Sequence, residues 1–329
     1  MIRVLYAGSP ASSKTLLENL LKKQIEYSFK VVGVLTNPPS AKGRHKTPIP
    51  TDVAQYAAKN GIPVFAPEHL DATSRSAVQS VQPNILVCFA YGHIFGPKFM
   101  SLFQFGGINL HPSALPKYRG CTPVNAAILN GDTETAFTIQ KISEKMDEGN
   151  ILAQKKVALT GWETTSSLLH DAAIHGAELL CDIFSRINEN GYIEEGIPQS
   201  EDASYTGMIS KHDALIDWSK SALQIDREVR AYFQDPIAWT LLNKETLKIL
   251  EGIPAEKATS PIPEEISNHS VDAVPSGTVC AFSKKHGIFI KCGEGFYIVK
   301  KLQRQGKTPM DANAFMNGMH DFLGMQLGF

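Results

Sequence analysis

The chain has 329 residues, of which 43% are hydrophobic and 20% charged, and its formal net charge is −1. This length and composition are typical of a globular protein of about two domains, so wholesale disorder is excluded. The balanced charge gives no chain-wide argument for a nucleic-acid partner, although it does not exclude a local basic patch.

Two further features indicate where the protein works. No stretch approaches the ~18 consecutive apolar residues of a membrane span, and the amino terminus runs straight into a strand pattern instead of a signal peptide. The 5 cysteines are scattered and form no CxxC pair, which argues against a disulfide framework or a structural zinc site. We therefore expect a soluble protein of the reducing cytoplasm, without a membrane partner.

The first half of the chain alternates strand and helix patterns. Four apolar runs predict buried strands of the parallel type, at residues 2–7, 31–35, 85–89 and 107–111. Amphipathic stretches between them predict three helices, one beginning near Ser12 and two at residues 52–59 and 72–80. Repeated strand–helix–strand units favour an α/β fold with a Rossmann-like, mostly parallel sheet and helices on both faces.

The pattern changes in the second half. Two helices and two further strands are predicted first, the helices at residues 122–129 and 164–188 and the strands at 137–142 and 151–159. Regular periodicity ends after Gly191, so we expect a domain over 1–191, a linker over 192–207 and a second domain over 208–329. That domain carries a helix pattern and then short strand patterns between Gly and Lys turns, which is typical of a small, OB-like β-barrel.

The stretch NLHPSALPKYRG, which begins at Asn109, is the most informative part of the sequence. Asn109 and His111 are two apart on a predicted strand, so their side chains leave the same face. Because Pro112 ends the strand, both lie at its carboxyl edge, where open α/β sheets bind ligands. An amide beside an imidazole could hold a developing oxyanion. A turn-capping Asn and a His bonded to the backbone are an alternative interpretation of the same residues.

Asp147 lies 36 residues after His111, in a predicted loop. A carboxylate near His111 would raise the pKa of the imidazole and select its tautomer, although an Asp in such a loop is also a common turn former. No Ser or Cys stands in a nucleophile signature, and Gly8 does not begin a GxGxxG motif, so a dinucleotide cofactor is not expected.

Asn109, the sequence HPSALPKYRG at 111–120 and DEG at 147–149 resemble the formyltransferase family that uses 10-formyltetrahydrofolate. The resemblance continues almost end to end, and it is strongest to the branch that acts on methionyl-tRNA. Further matching segments are AGSP at 7–10, GIPVFAPEHL at 61–70, AYGHIFGP at 90–97, NGDTETAFTI at 130–139, ALIDWSKSALQIDREVRAY at 214–232 and LQRQGKTP at 302–309.

The resemblance implies a set of site residues. The catalytic triplet would be Asn109, His111 and Asp147, and no metal would be needed. Folate would bind a loop with a cis Leu115–Pro116 bond and the backbone of a second segment, so that the cofactor-binding residues are Ser113, Ala114, Leu115, Pro116, Phe89, Ala90, Tyr91 and Gly92.

Two groups of basic residues could contact tRNA. Charge alone allows the loop with Lys42, Arg44 and Lys46 to be a solvated loop, whereas the resemblance implies that it holds the acceptor end of the tRNA. The second group lies in the predicted barrel and includes Lys300, Lys301 and Arg304.

The function implied by the resemblance is transfer of the formyl group of 10-formyltetrahydrofolate to the α-amino group of methionyl-initiator tRNA, for translation initiation, by a monomeric enzyme. Two alternatives stay open. A sugar N-formyltransferase would share the first domain, and Asn125 after Pro123 and Val124 is similar to that branch. A non-enzymatic folate- or RNA-binding protein could retain the same residues without turnover.

Overall fold

The computed structural model describes residues 1–41, 47–258 and 274–328. These residues belong to two units. The first comprises Met1–Val124, Thr133–Leu159 and Ser167–Gly207, and the second comprises Asn125–Asp132, Thr160–Ser166 and Met208–Phe329. Lys42, Arg44 and Lys46, which were expected to hold tRNA, lie outside the described residues.

The helices and strands follow one another in this order. Up to residue 207 they are β1 (Ile2–Ala7), α1 (Ala11–Lys23), β2 (Phe29–Leu35), β3 (Ser40–Ala41), β4 (Pro48–Ile49), α2 (Asp52–Lys59), β5 (Val64–Phe65), α3 (Ala72–Gln79), β6 (Ile85–Cys88), α4 (Pro97–Met100), β7 (Gly107–His111), β8 (Arg119–Gly120), α5 (Pro123–Asn130), β9 (Glu134–Lys141), β10 (Ile151–Ala158), α6 (Thr165–Asn190) and β11 (Tyr205–Thr206). They continue with α7 (Ala222–Ala231), β12 (Trp239–Leu242), β13 (Glu245–Pro254), a 3-10 helix (Ala255–Lys257), β14 (Val279–Ser283), β15 (Gly287–Lys291), β16 (Phe296–Arg304), β17 (Met310–Asp311) and α8 (Ala312–Asn317).

The first unit is built on a seven-stranded sheet with the order β10-β9-β7-β6-β1-β2-β5. From β5 to β7 all neighbours are parallel, and β9 and β10 are added antiparallel. The parallel strands are apolar along most of their length because both faces of such a sheet are covered. The predicted Rossmann-like, mostly parallel sheet is thus confirmed, and its carboxyl edge carries the candidate site.

The stretch 192–207, expected as a linker, makes ordered contacts within the first unit. Ile197 forms an isolated antiparallel bridge with Ile151, and β11 pairs in parallel with β8. This pairing brings Tyr205 and Thr206 beside Arg119 and Gly120, at the end of the segment that begins with Asn109.

The second unit contains an antiparallel sheet with the order β12-β13-β16-β15-β14, and β17 pairs with β16. Register shifts near Glu251 interrupt the pairing of β13 with β16, and bulges of this kind bend and twist a sheet. The sheet is curled into a half-barrel, which confirms the predicted barrel-like C-terminal fold. Its concave core includes Trp218, whose indole Nε1 donates to Thr240 Oγ1 at 3.0 Å, and apolar side chains of α7.

Within the described part of the chain, no helix combines the length and the apolar character needed to cross a bilayer.

Candidate active site

Asn109 and His111 leave the same face of β7 at its carboxyl end. They are two residues apart on a strand, and in the pairing with β9 they lie opposite Gln140 and Thr138. His111 is buried, with 3% of its surface exposed, whereas Asn109 is only partly buried. The prediction that the two side chains share one face at the carboxyl end of the strand is confirmed, and ligand binding there stays a prediction.

The imidazole of His111 has a hydrogen-bond acceptor on each side. Its Nδ1 lies 3.5 Å from Asp147 Oδ1, and its Nε2 lies 2.8 Å from the carbonyl oxygen of Tyr118. Burial lowers the pKa of His111, while the Asp147 carboxylate and the Tyr118 carbonyl act in the opposite direction by favouring the protonated ring. The raised pKa of His111 expected from the carboxylate alone is wrong, because desolvation is the larger effect.

Asp147 reaches His111 from a tight loop between β9 and β10. The loop requires a left-handed backbone at Asp147, where φ is 56°, and close packing at Gly149, where any Cβ would overlap the carbonyl oxygen of Lys141. The carboxylate accepts from the backbone N–H of Gly120 at 2.9 Å and from Gln140 Nε2 at 2.7 Å. Its two oxygens are therefore both held, one beside β8 and the other beside His111.

The side-chain amide of Asn109 has no hydrogen-bond partner among the residues that the structure describes. A partly exposed amide beside a buried imidazole can donate to an oxygen atom of a ligand. With His111 and Asp147, it forms a polar group suited to a reaction in which negative charge develops on oxygen.

The predicted folate loop follows β7 directly. Its Leu115–Pro116 bond is cis, as predicted. Three hydrogen bonds fix the loop: Ser113 Oγ donates to the carbonyl of Lys117 at 2.6 Å, Thr138 Oγ1 donates to the carbonyl of Ser113 at 2.6 Å, and Gln154 Nε2 donates to the carbonyl of Leu115 at 3.3 Å.

The second predicted folate segment, residues 89–92, follows the neighbouring parallel strand β6 and so emerges at the same edge of the sheet. Phe89 and Tyr91 are buried, and Tyr91 begins a row of stacked rings that continues through Phe95 at 5.4 Å and Phe99 at 5.6 Å. Ala90, which has a φ of 53°, and Gly92 are exposed on either side of Tyr91. The segment is thus anchored by its rings while its backbone stays accessible.

The basic residues of the second unit have acidic neighbours. Arg304 Nη2 lies 3.5 Å from Glu245 Oε2, and Lys301 is paired in register with Glu251 and Asp311. Burial lowers the pKa of Lys300. Arg304 thus has an ion-pair partner, and the role of the group in tRNA binding stays a prediction.

Sequence reasoning missed two glutamines and an arginine around Asp147. Gln140 is buried in β9, and Gln199 comes from the stretch 192–207 and accepts from Arg119 Nε at 3.0 Å. A signal for Gln140 existed, because Thr138 and Gln140 alternate with apolar residues and indicate a polar strand face. No comparable periodicity marks Gln199.

Along the described parts of the chain, no three His, Cys, Asp or Glu side chains are grouped so that they could hold a metal ion. The site instead combines an amide, an imidazole–carboxylate pair and two anchored loops, a set suited to acyl or formyl transfer through a tetrahedral oxyanion.

Comparison with known proteins agrees with that class. Residues 1–183 match the family described as formyl transferase, and residues 208–320 match the formyl transferase C-terminal domain. The chain therefore belongs to the formyl transferase family.

Curated proteins of similar sequence indicate the branch of the family to which this chain is most similar. A methionyl-tRNA formyltransferase from Treponema denticola is 40% identical over 98% of this chain and 98% of its own length, and one from Treponema pallidum is 38% identical over 100% of both. Among solved structures, HypX from Aquifex aeolicus in complex with tetrahydrofolic acid has a TM-score of 0.66 at 14% identity, covering 98% of this chain and 48% of that one. A methionyl-tRNA formyltransferase from Clostridium thermocellum has a TM-score of 0.55 at 13% identity, over 78% and 96%. At these identities the two structures support the fold alone.

Proposed function

We propose that this protein transfers the formyl group of 10-formyltetrahydrofolate to the α-amino group of methionyl-initiator tRNA. The observation that carries the proposal is the assembly of Asn109, His111 and Asp147 at the carboxyl end of β7 in a chain that is related to methionyl-tRNA formyltransferases over its whole length. The reaction serves translation initiation, and we expect the protein to work in the cytoplasm as a monomer.

The chemistry follows from the positions of the three side chains. The amine attacks the formyl carbon, and the carbonyl oxygen becomes an oxyanion to which the Asn109 amide donates. The bond from the formyl carbon to N10 of the folate then breaks, while the proton released by the amine is transferred to N10. His111 can take up this proton at Nε2 once a water or the substrate replaces the Tyr118 carbonyl there, because the neutral ring then keeps its hydrogen on Nδ1, facing Asp147, and has a free lone pair on Nε2. The same nitrogen returns the proton to N10.

Folate would lie along the carboxyl edge of β6 and β7. The exposed backbone at Ala90 and Gly92 can hydrogen-bond the pterin, and the loop Ser113–Pro116 would lie against the reacting end of the folate. Internal hydrogen bonds hold this loop before any ligand arrives, so little ordering is left for the binding step.

The tRNA substrate requires a phosphate-binding surface. We assign its acceptor end to Lys42, Arg44 and Lys46, and another part of the tRNA to Lys300, Lys301 and Arg304 in the second unit. Each Lys or Arg that contacts a phosphate releases a counterion, so tRNA affinity should fall with salt.

The direct test is formylation of methionyl-tRNA by the purified protein with 10-formyltetrahydrofolate as donor. A nucleotide-linked amino sugar is the competing acceptor, and preferential formylation of that sugar would contradict the proposal. The double variant Arg44→Ala with Lys46→Ala should weaken tRNA binding. The magnitude of its log–log salt slope should fall by about 0.7 to 0.9 for each phosphate that the loop no longer neutralises. Folate affinity is the internal control and should not change.

A further inference from the structure

The carboxylate of Asp147 is oriented by a glutamine that lies on the same strand face as the candidate catalytic side chains. Gln140 is directly opposite Asn109 in the pairing of β9 with β7, and its side chain is 2% exposed. Its Nε2 donates at 2.7 Å to Asp147 Oδ1, the same oxygen that lies 3.5 Å from His111 Nδ1. Gln140 therefore controls the oxygen that faces the imidazole.

A second glutamine, Gln199, determines the orientation of the Gln140 side-chain amide. Gln199 Nε2 lies 3.2 Å from Gln140 Oε1 and 2.8 Å from each of the carbonyl oxygens of Asp147 and Gly149. Because the two backbone carbonyl oxygens can only accept, the Gln199 nitrogen must face them as the donor. Gln140 must then present its oxygen to Gln199 and its nitrogen to Asp147.

Arg119 of β8 holds the two glutamines in place. Arg119 is 7% exposed, and its Nε donates to Gln199 Oε1 at 3.0 Å while its Nη1 donates to the hydroxyl of Tyr205 at 2.8 Å. Arg119 also lies 3.4 Å from Glu148 Oε1, next to Asp147 in the chain. The hydrogen bonds thus run without interruption from Arg119 through Gln199 and Gln140 to Asp147.

We propose that Gln140 and Gln199 are positioning residues for formyl transfer: they hold the Asp147 carboxylate at the angle in which it faces His111. The inference rests on the proposed function. It also makes the stretch 192–207 part of the active site, because that stretch supplies Gln199.

Loss of the Gln140 donor has two physical consequences. The carboxylate keeps the Gly120 N–H but is free to rotate away from His111, and small displacements of reacting groups are costly in rate. A carboxylate that has turned away also gives less electrostatic support to the protonated ring, so the pKa of His111 should fall further below its ordinary value. The other titratable groups near the pair are Cys88 at the end of β6, Arg119 of β8 and Glu148 of the loop, and the substitutions leave all of them in place.

The experiment measures kcat and KM for both substrates as a function of pH in the full-length protein and in Gln140→Met and Gln199→Met. Methionine has a similar volume but donates no hydrogen bond. We expect kcat to fall about 10- to 100-fold while KM changes by less than about threefold. The acid limb of the kcat profile should move to lower pH in Gln140→Met and, by a smaller amount, in Gln199→Met.

Gln24→Met is the matched control. Gln24 Oε1 accepts from the backbone N–H of Val31 at 2.7 Å, so the variant also loses glutamine hydrogen bonds within the first unit. It should lower the melting temperature but leave kcat and its pH profile unchanged.

The outcomes are separable. Folded Gln140→Met or Gln199→Met protein with the kcat and pH profile of the wild type would overturn the inference. A reduced kcat with an unmoved acid limb would also overturn it, since that result indicates a purely structural role. If one of the two variants does not fold, the other decides. A wild-type protein that does not formylate methionyl-tRNA would overturn the proposed function instead.

Discussion

Asn109→Ala tests the chemical role of the amide most directly, because the structure separates its effect on rate from its effect on stability. Removing one donor to an oxyanion costs about 10²- to 10³-fold in kcat, or about 3 to 4 kcal/mol in the barrier. The amide of Asn109 has no partner among the described residues, so its removal leaves no protein group unpaired. The free energy of unfolding should therefore change by less than about 0.5 kcal/mol.

The assay compares single-turnover formylation of methionyl-tRNA with thermal unfolding, and Asn84→Ala is the matched control. Asn84 precedes β6 at the opposite edge of the sheet, and its Oδ1 accepts from the backbone N–H of Arg3 at 2.7 Å. Its removal leaves that N–H without its partner, which should cost about 1 to 3 kcal/mol of stability while kcat is unchanged. An Asn109→Ala protein with kcat within about threefold of the wild type would refute the assignment of the amide to the oxyanion.

Three further outcomes are expected. Asp147→Asn keeps the size of the side chain but removes the charge opposite His111, so kcat should fall by about 10²-fold or more while folate affinity, measured by ligand fluorescence, is retained. Gly149→Ala should displace the Asp147 loop because its Cβ would overlap the Lys141 carbonyl, whereas Gly96→Ala, which meets no atom within 4 Å, should have wild-type activity; equal activity in the two variants would contradict the close packing. Because burial lowers the pKa of His111 below its ordinary 6.5, the unfolded chain binds this proton more readily than the folded protein does. Stability should therefore fall as the pH drops below about 6.5, and melting curves of His111→Asn should show a weaker fall than those of the wild type.

The strands of the first sheet could be predicted closely because a strand that is buried on both faces appears in the sequence as a continuous apolar run. The structure places β1 at Ile2–Ala7 and β7 at Gly107–His111, the same residues that the apolar runs predicted. The shared face of Asn109 and His111 followed from the two-residue period of a strand. These features depend on local pattern alone, which a single sequence contains.

The approach of Asp147 to His111 could not be derived in the same way. The spacing of 36 residues carries no geometric information, and the pairing was implied only by the family resemblance. In the structure it depends on the left-handed backbone at Asp147 and on the glycine at 149, which together fold the loop back onto β9. Gln199 was missed for a related reason: its partners are 50 to 80 residues away, and its own segment has no period to mark a buried position.

The surroundings of His111 act on its neutral and its protonated forms in opposite ways. Burial lowers the pKa of the ring, so at neutral pH the resting enzyme holds it in the neutral form that can accept a proton. The Tyr118 carbonyl and the Asp147 carboxylate can both accept a hydrogen bond from His111 only when both ring nitrogens carry hydrogen. In the proposed reaction that state forms when the amine attacks and releases its proton. Burial thus favours the base before the reaction, and the two acceptors stabilise the imidazolium that the reaction creates, which is why the orientation of Asp147 should affect kcat more than the binding of either substrate.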